Sequence, residues 1–186
     1  MPELPDARKE RFLKEYELSD LNAEVLVSDK LLADFFEECV RIYPKPKEIS
    51  NWLVGDLLGH LNELGMELGE SKVTPKHIAR MVQLIDDGTI SGKIGKMILP
   101  EMIMGGRGPD ELVEEKGLKV ITSKEELDRL VQKVFSEHGS AVQDALTDEK
   151  AVHYLVGQLM KETGGKADPE LANRAIREKL AALNGR

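Results

Sequence analysis

Four prolines, Pro5, Pro75, Pro109 and Pro169, each head a run built for a helix. Proline at a first helical position sacrifices no hydrogen bond, and its fixed φ suits the first turn. Pro5-Asp6 opens a run whose charged residues surround Phe12 and Leu13. Ser28 is the expected N-cap for 29–43, where Leu31, Leu32, Phe35, Phe36, Cys39 and Val40 form an apolar stripe. Tyr43-Pro44-Lys45-Pro46 ends that stripe, because two prolines stop a helix. Trp52, Leu53, Leu57, Leu58, Leu61 and Leu64 continue the helical spacing to Gly65 or Gly69. Thr74 caps a helix carrying Ile78, Met81, Val82 and Ile85, with Gly88 as its stop. Thr89 to Gly105 reads as a helix interrupted by Pro100, and Pro109 starts a short one ending near Gly117. Ser123 and Glu126 form a capping box. The helix they open carries Leu127, Leu130, Val131, Val134 and Phe135 and ends at Gly139. A short helix near 140–146 follows, then one over 148–163 stopped by Gly164-Gly165. The last runs from Asp168-Pro169 to about Leu183.

No alternating strand pattern, βαβ order or internal repeat accompanies these helices. Aromatics are 4% of residues, so the core is left to Leu, Ile, Val, Met and Ala, a palette that favours helices. The fold class is therefore all-α. The stretch 118–122, LKVIT, looks extended but has no partner strand, which makes it a linker and the best boundary. The expected division is a larger helical domain over 1–116 and a small three-to-four-helix bundle over 117–186. A single cysteine, Cys39, excludes an internal disulfide and a cysteine-built zinc site. No apolar run reaches the ~18 residues of a membrane span, and the N-terminus is polar. A soluble, cytoplasmic protein is expected.

Net charge is −8, which argues against a surface that binds nucleic acid everywhere. Residues 1–116 hold 15 Lys+Arg against 23 Asp+Glu, whereas 117–186 hold 11 of each. Within the last 26 residues, six basic side chains exceed four acidic ones, so an anion finds its favourable field there. Catalytic constellations are missing. His60, His77, His138 and His153 form no metal-binding spacing, although His60 and Glu63 stand one turn apart. Cys39 lies on an apolar stripe and reads as an inert buried thiol. Gly88-Thr89-Ile90-Ser91-Gly92-Lys93 imitates a phosphate loop, but its glycines are one residue too close and Ile94 follows the lysine. Gly88 is better read as a helix stop, Ser91 as a cap, and Gly92 and Gly95 as points of close helix approach. The adjacent pairs Glu37-Glu38, Asp86-Asp87 and Glu114-Glu115 diverge on a helix and are solvated charge.

The most informative stretch is 152–180, VHYLVGQLMKETGGKADPELANRAIREKL. Gly157 inside a helix costs ~1 kcal/mol relative to Ala. Tyr154, Gly157 and Lys161 project from one side, flanked by Gln158. Gly164-Gly165-Lys166 then forms a turn, expected to leave backbone N–H groups bare beside the start of the next helix. Amides, lysines and a positive helix end suit a sugar-phosphate backbone. A structural use competes: Gly164 as a helix stop, Gly157 admitting a neighbouring helix, solvated lysines, and Asp168 and Glu170 repelling phosphate. The residues taken alone favour that use.

The run GQLMKETGGKADPELANRAIREKL resembles the C-terminal signature of the B-subunit (GatB) family of tRNA-dependent amidotransferases and of stand-alone YqeY-type domains. ELPDARKERF, NWLVGDLLGHLN, DDGTISGKIGK and VEEKGL resemble the same family in the same order. The resemblance implies a ligase of translation that amidates misacylated Glu-tRNA(Gln) or Asp-tRNA(Asn). Its A subunit releases ammonia, and the B subunit's cradle domain phosphorylates the carboxylate with ATP and magnesium. It also implies that this chain is a C-terminal piece lacking the cradle, with Met1 an addition and Pro2 in doubt, and so without catalytic residues, cofactor or metal of its own. Its expected partners are tRNA(Gln) or tRNA(Asn) and, through the parent, the A and C subunits; no membrane is expected. The family signature falls on Gly157, Gln158, Met160, Lys161, Thr163, Gly165, Lys166, Ala167 and Pro169, while Gly164 stands where many members carry Lys. Candidate tRNA contacts are Gly157, Gln158, Lys161, Gly164, Gly165, Lys166 and Arg174, set against the outer corner of the tRNA. The resemblance turns Lys161 and Lys166 toward RNA contact and leaves Gly157 open. A helical scaffold for protein contacts is the alternative.

Overall fold

The computed structural model describes residues 3–121 and 123–184. Met1 and Pro2, and Thr122 at the end of the extended stretch, lie outside the described residues. Among those described there are helices and turns, with one isolated parallel bridge, Ile121 to Ala167, in place of any sheet. No described helix is long and apolar enough to cross a membrane.

The chain divides into two compact units. The first comprises the described residues up to Asp87 together with Gly95–Gly117. It starts with α1 (Pro5–Glu15), α2 (Asp20–Val27) and α3 (Lys30–Ile42). The N-cap of α3 is Asp29 rather than Ser28. Its carboxylate accepts from the amides of Leu31 and Leu32, while the Ser28 hydroxyl donates to the Val25 carbonyl and closes α2. Next come α4 (Pro46–Asn51), a π-helical turn (Trp52–Leu57) and α5 (Leu58–Leu64), which Gly65 stops at φ +61°. A 3-10 turn (Leu68–Glu70) leads to α6 (Pro75–Asp86), where Thr74 and His77 cap each other reciprocally. Then α7 (Gly92–Gly105) passes through Pro100 without breaking, and α8 (Pro109–Glu115) ends before Gly117.

Phe12, Phe36, Leu26, Ile49, Leu53, Leu57, Ile78 and Met81 are wholly buried, with α3 packed on α2 and α6. Gly95 is needed for close approach, since a Cβ there would stand 2.8 Å from Ile85 and 2.9 Å from Trp52. Gly92 has no such role; nothing lies within 4 Å of its Cβ position. Cys39 is buried, and burial pushes its thiol pKa up to about 12, as expected of an inert thiol.

The second unit comprises Gly88–Ile94 and the described residues from Leu118 onward. Its body is α9 (Lys124–Glu137), α10 (Gly139–Asp144), α11 (Glu149–Glu162) and α12 (Pro169–Asn184). The Ser123 hydroxyl accepts from the Glu126 amide but donates to Glu125, so half of the expected capping box is present. Leu127, Val131, Val134, Val152, Leu155, Leu159, Ala172 and Ile176 share one core. The stretch before α9 is not a loose linker. Val120 N–H donates to the Thr89 carbonyl at 2.8 Å, and Ile121 N–H to the Lys166 carbonyl at 2.7 Å. The bridge to Ala167 accompanies the Ile121 bond, and Thr89 satisfies Val120, so both amides are paired without a strand partner of any length.

Candidate nucleic-acid interface

The turn between α11 and α12 joins most of the residues singled out above. Gly164 and Gly165 hold φ of +60° and +83°, where a side chain would be strained. The turn has no bare amides, which corrects the expectation. Gly164 N–H donates to Lys161 O, Gly165 N–H to Met160 O, and Lys166 N–H to Thr163 O, at 3.0–3.1 Å. Thr163, 2% exposed, is the pivot. Its hydroxyl donates to the Met160 carbonyl and accepts from the Ala167 amide at 3.3 Å. The helix C-terminus uses the turn's donors to satisfy its own last carbonyls, so none remains for a ligand.

The cations remain. Lys161 is exposed and Lys166 half-buried, and neither has an ion-pair partner among the described residues. The nearest carboxylates are occupied. Glu162 pairs with Lys133, which draws its pKa below the usual range. Asp168 caps α12, accepting from the amides of Glu170 at 2.8 Å and Leu171 at 3.0 Å. A carboxylate seated on a helix N-terminus has part of its charge offset, which weakens its repulsion of a phosphate. Glu170 stays exposed and unscreened.

Along α11, Gly157 is exposed and nothing lies within 4 Å of its Cβ position, so it admits no neighbouring helix of this chain. Gln158 is half-buried beside it. Tyr154, 46% exposed, stands edge-on to His138 with ring centroids 5.6 Å apart. This face therefore offers an aromatic edge, a bare stretch of helix backbone and the Lys161 ammonium in succession. Gly164 is exposed, whereas Gly165 is buried and so withdrawn from direct contact. Arg174 lies one element away. It lines a 270 Å³ groove with Lys124, Asp128, Leu171 and Glu178, joined to the turn through Ile121.

Sequence reasoning missed Thr163 as the pivot, read Ser91 as a cap alone, and gave Lys93 no role beyond the rejected phosphate loop. The Ser91 hydroxyl donates to the Gly165 carbonyl at 3.0 Å and accepts from the Ile94 amide, which makes it the expected cap and more. No group of three His, Cys, Asp or Glu side chains converges as a metal site among the described residues. His60 does meet Glu63, at 3.4 Å, as a one-turn surface pair.

A family model described as "GatB domain" matches residues 34–180. The chain is similar to the B subunits of aspartyl/glutamyl-tRNA(Asn/Gln) amidotransferases from several bacteria. That of Thermotoga maritima is 47% identical over 181 residues, covering 97% of this chain and 38% of the relative. That of Caldanaerobacter subterraneus subsp. tengcongensis is 46% identical over 182 residues, with the same coverage. That of Carboxydothermus hydrogenoformans is 46% identical over 184 residues, 98% of this chain and 38% of the relative. The chain thus spans 38% of the length of these curated relatives.

Proposed function

This chain belongs to the GatB domain family, and on that premise we propose that it serves a tRNA-dependent amidotransferase as a non-catalytic, tRNA-gripping part of its B subunit. The substrate is misacylated Glu-tRNA(Gln) or Asp-tRNA(Asn), held at the outer corner of the tRNA in the cytoplasm. The phosphorylating chemistry, with its ATP and magnesium, belongs to the cradle of the parent protein, and the A and C subunits are partners through that parent. One observation carries the reading. Lys161 and Lys166 flank the α11–α12 turn without an anionic partner, while Glu162 and Asp168 beside them are engaged elsewhere. Ammonium groups held in no ion pair, next to carboxylates engaged with other partners, suit a phosphate backbone, which fixes position without reading sequence. The grip works through side-chain charge and the open face of α11, not through bare amides.

The first unit favours a second role. Leu21, Leu31 and Met104 are at least half exposed there, and its residues hold the acidic surplus. A surface of that kind suits protein contact within the amidotransferase better than RNA.

The test is titration of the chain with tRNA(Gln) and tRNA(Asn) at low salt. Lys161→Ala with Lys166→Ala is expected to weaken binding at least tenfold. It should also make the slope of log affinity against log salt shallower by about 1.5, as two lost phosphate contacts require. Binding that the double variant leaves unchanged overturns the reading.

A further inference from the structure

The imitation phosphate loop at 88–93 is the motif that the reading above leaves unused. It belongs to the second unit, and two direct contacts and one relayed through 120–121 tie it to the α11–α12 turn. Thr89 O receives the Val120 amide, whose neighbour Ile121 donates to Lys166 O. The Ser91 hydroxyl donates to Gly165 O at 3.0 Å. The Lys93 side chain lies across Gly165: a Cβ built there would stand 3.4 Å from Lys93 Cγ, 2.8 Å from Cδ and 3.3 Å from Cε. Gly165 is thus glycine for two reasons, its φ of +83° and the lysine stem that covers it.

A lysine that lays its methylenes over a glycine holds its ammonium close to that glycine. Lys93 remains exposed, and no carboxylate pairs with it among the described residues. The stem therefore costs the turn its backbone access at Gly165 but brings a charge in return. That charge stands one bond beyond Cε, on the turn that carries Lys166 and follows Lys161.

We propose that Lys93 is a third phosphate-contacting residue of the RNA grip, delivered to the α11–α12 turn by Ser91 and seated by Gly165. The ligand is the sugar-phosphate backbone of a folded RNA. This inference rests on the tRNA-gripping reading, and the experiment separates the two.

Wild-type chain, Lys93→Met, Lys93→Arg and the Lys161→Ala/Lys166→Ala double variant are titrated with tRNA(Gln) and tRNA(Asn) across a salt series. Lys93→Met keeps an apolar stem over Gly165 and removes the ammonium; Lys93→Arg keeps the charge. Lys93→Met is expected to weaken binding roughly three- to tenfold and to make the salt slope shallower by about 0.7–0.9, one contact's worth. Lys93→Arg should restore both. Lys93→Met that binds like wild type, while the double variant is impaired, overturns this inference and leaves the broader reading standing. Lys93→Met and Lys93→Arg that weaken binding equally, with the salt slope unchanged, reduce Lys93 to a cover for Gly165 and also overturn it. Wild-type chain that fails to bind, or a double variant that binds unimpaired, overturns the broader reading and this inference with it.

Discussion

Gly157 separates folding from function at a single position. It sits in the middle of α11, and its Cβ position is open space. An added methyl therefore meets nothing in this chain and removes conformational freedom from the unfolded state. Gly157→Ala is expected to stabilise the protein by about 0.5–1 kcal/mol, read as a higher Tm or denaturant midpoint. The same methyl intrudes where an RNA backbone would approach α11, so tRNA affinity should fall although stability rises. A variant that gains stability and binds tRNA as before removes Gly157 from the interface. Glu37 behaves in the opposite way. It accepts from Arg8 and from Arg11, the latter at 2.7 Å, with Tyr16 at 3.3 Å, and its side chain is only 13% exposed. Burial pushes its pKa up, but the hydrogen bonds from Arg11 and Arg8 outweigh burial, and the net shift is downward from 4.5. The folded state therefore holds this proton less tightly than the unfolded chain. The stability it contributes is full above about pH 4.5 and fades as pH falls through the folded pKa. Glu37→Gln is expected to destabilise by about 1–2 kcal/mol at pH 7, because two half-buried guanidinium groups each lose one of two counter-charges, Arg8 keeping Asp34 and Arg11 keeping Glu3. As the pH falls below the folded pKa the two proteins should converge, and a penalty that stays constant down to acid refutes the charge origin.

At the scale of elements, legibility followed local chemistry. Helices with proline at their head or glycine at their foot were readable because those residues act through their own φ angles. Thus α1, α6, α8, α11 and α12 stand where Pro5, Pro75, Pro109, Gly164 and Pro169 place them. By contrast α2 has no proline and little apolar periodicity in DLNAEVLV, and Ser19, which caps it, looks like any loop serine. The π-helical turn at Trp52–Leu57 was hidden because one extra residue leaves Leu53 and Leu57 both buried, as an α-helix would. Pro100 did not interrupt α7: with Ile98, Leu99, Met102 and Ile103 all buried around it, packing outweighs one missing hydrogen bond. Contacts between distant residues were illegible altogether. Nothing in LKVIT names Thr89 or Lys166 as partners, and nothing in ISGK names Gly165. The candidate interface was legible as a list of cations and small residues. Its withdrawn amides were not, because whether a glycine turn faces a ligand or its own helix depends on where Thr163 and Met160 fall.

For the whole molecule, the two units carry separate cores, and the division falls inside α7 after its first three residues, Gly92–Ile94. Phe36 and Leu155 are each 0% exposed, one in either core. Truncating a buried Phe destabilises by about 3–5 kcal/mol and a buried Leu by about 2–5 kcal/mol. If each core is its own cooperative unit, the chain melts in two calorimetric steps. Phe36→Ala then lowers one step and leaves the other in place, while Leu155→Ala does the reverse. The tRNA arm assigns the steps: saturating tRNA should raise the step that Leu155→Ala lowers, because a ligand stabilises only the unit it binds. A single transition that both substitutions lower together would mean that the chain is one cooperative body. In that case RNA binding by the second unit would be felt as stabilisation of the first, and the acidic first unit would be part of the gripping machinery rather than a separate surface for protein partners.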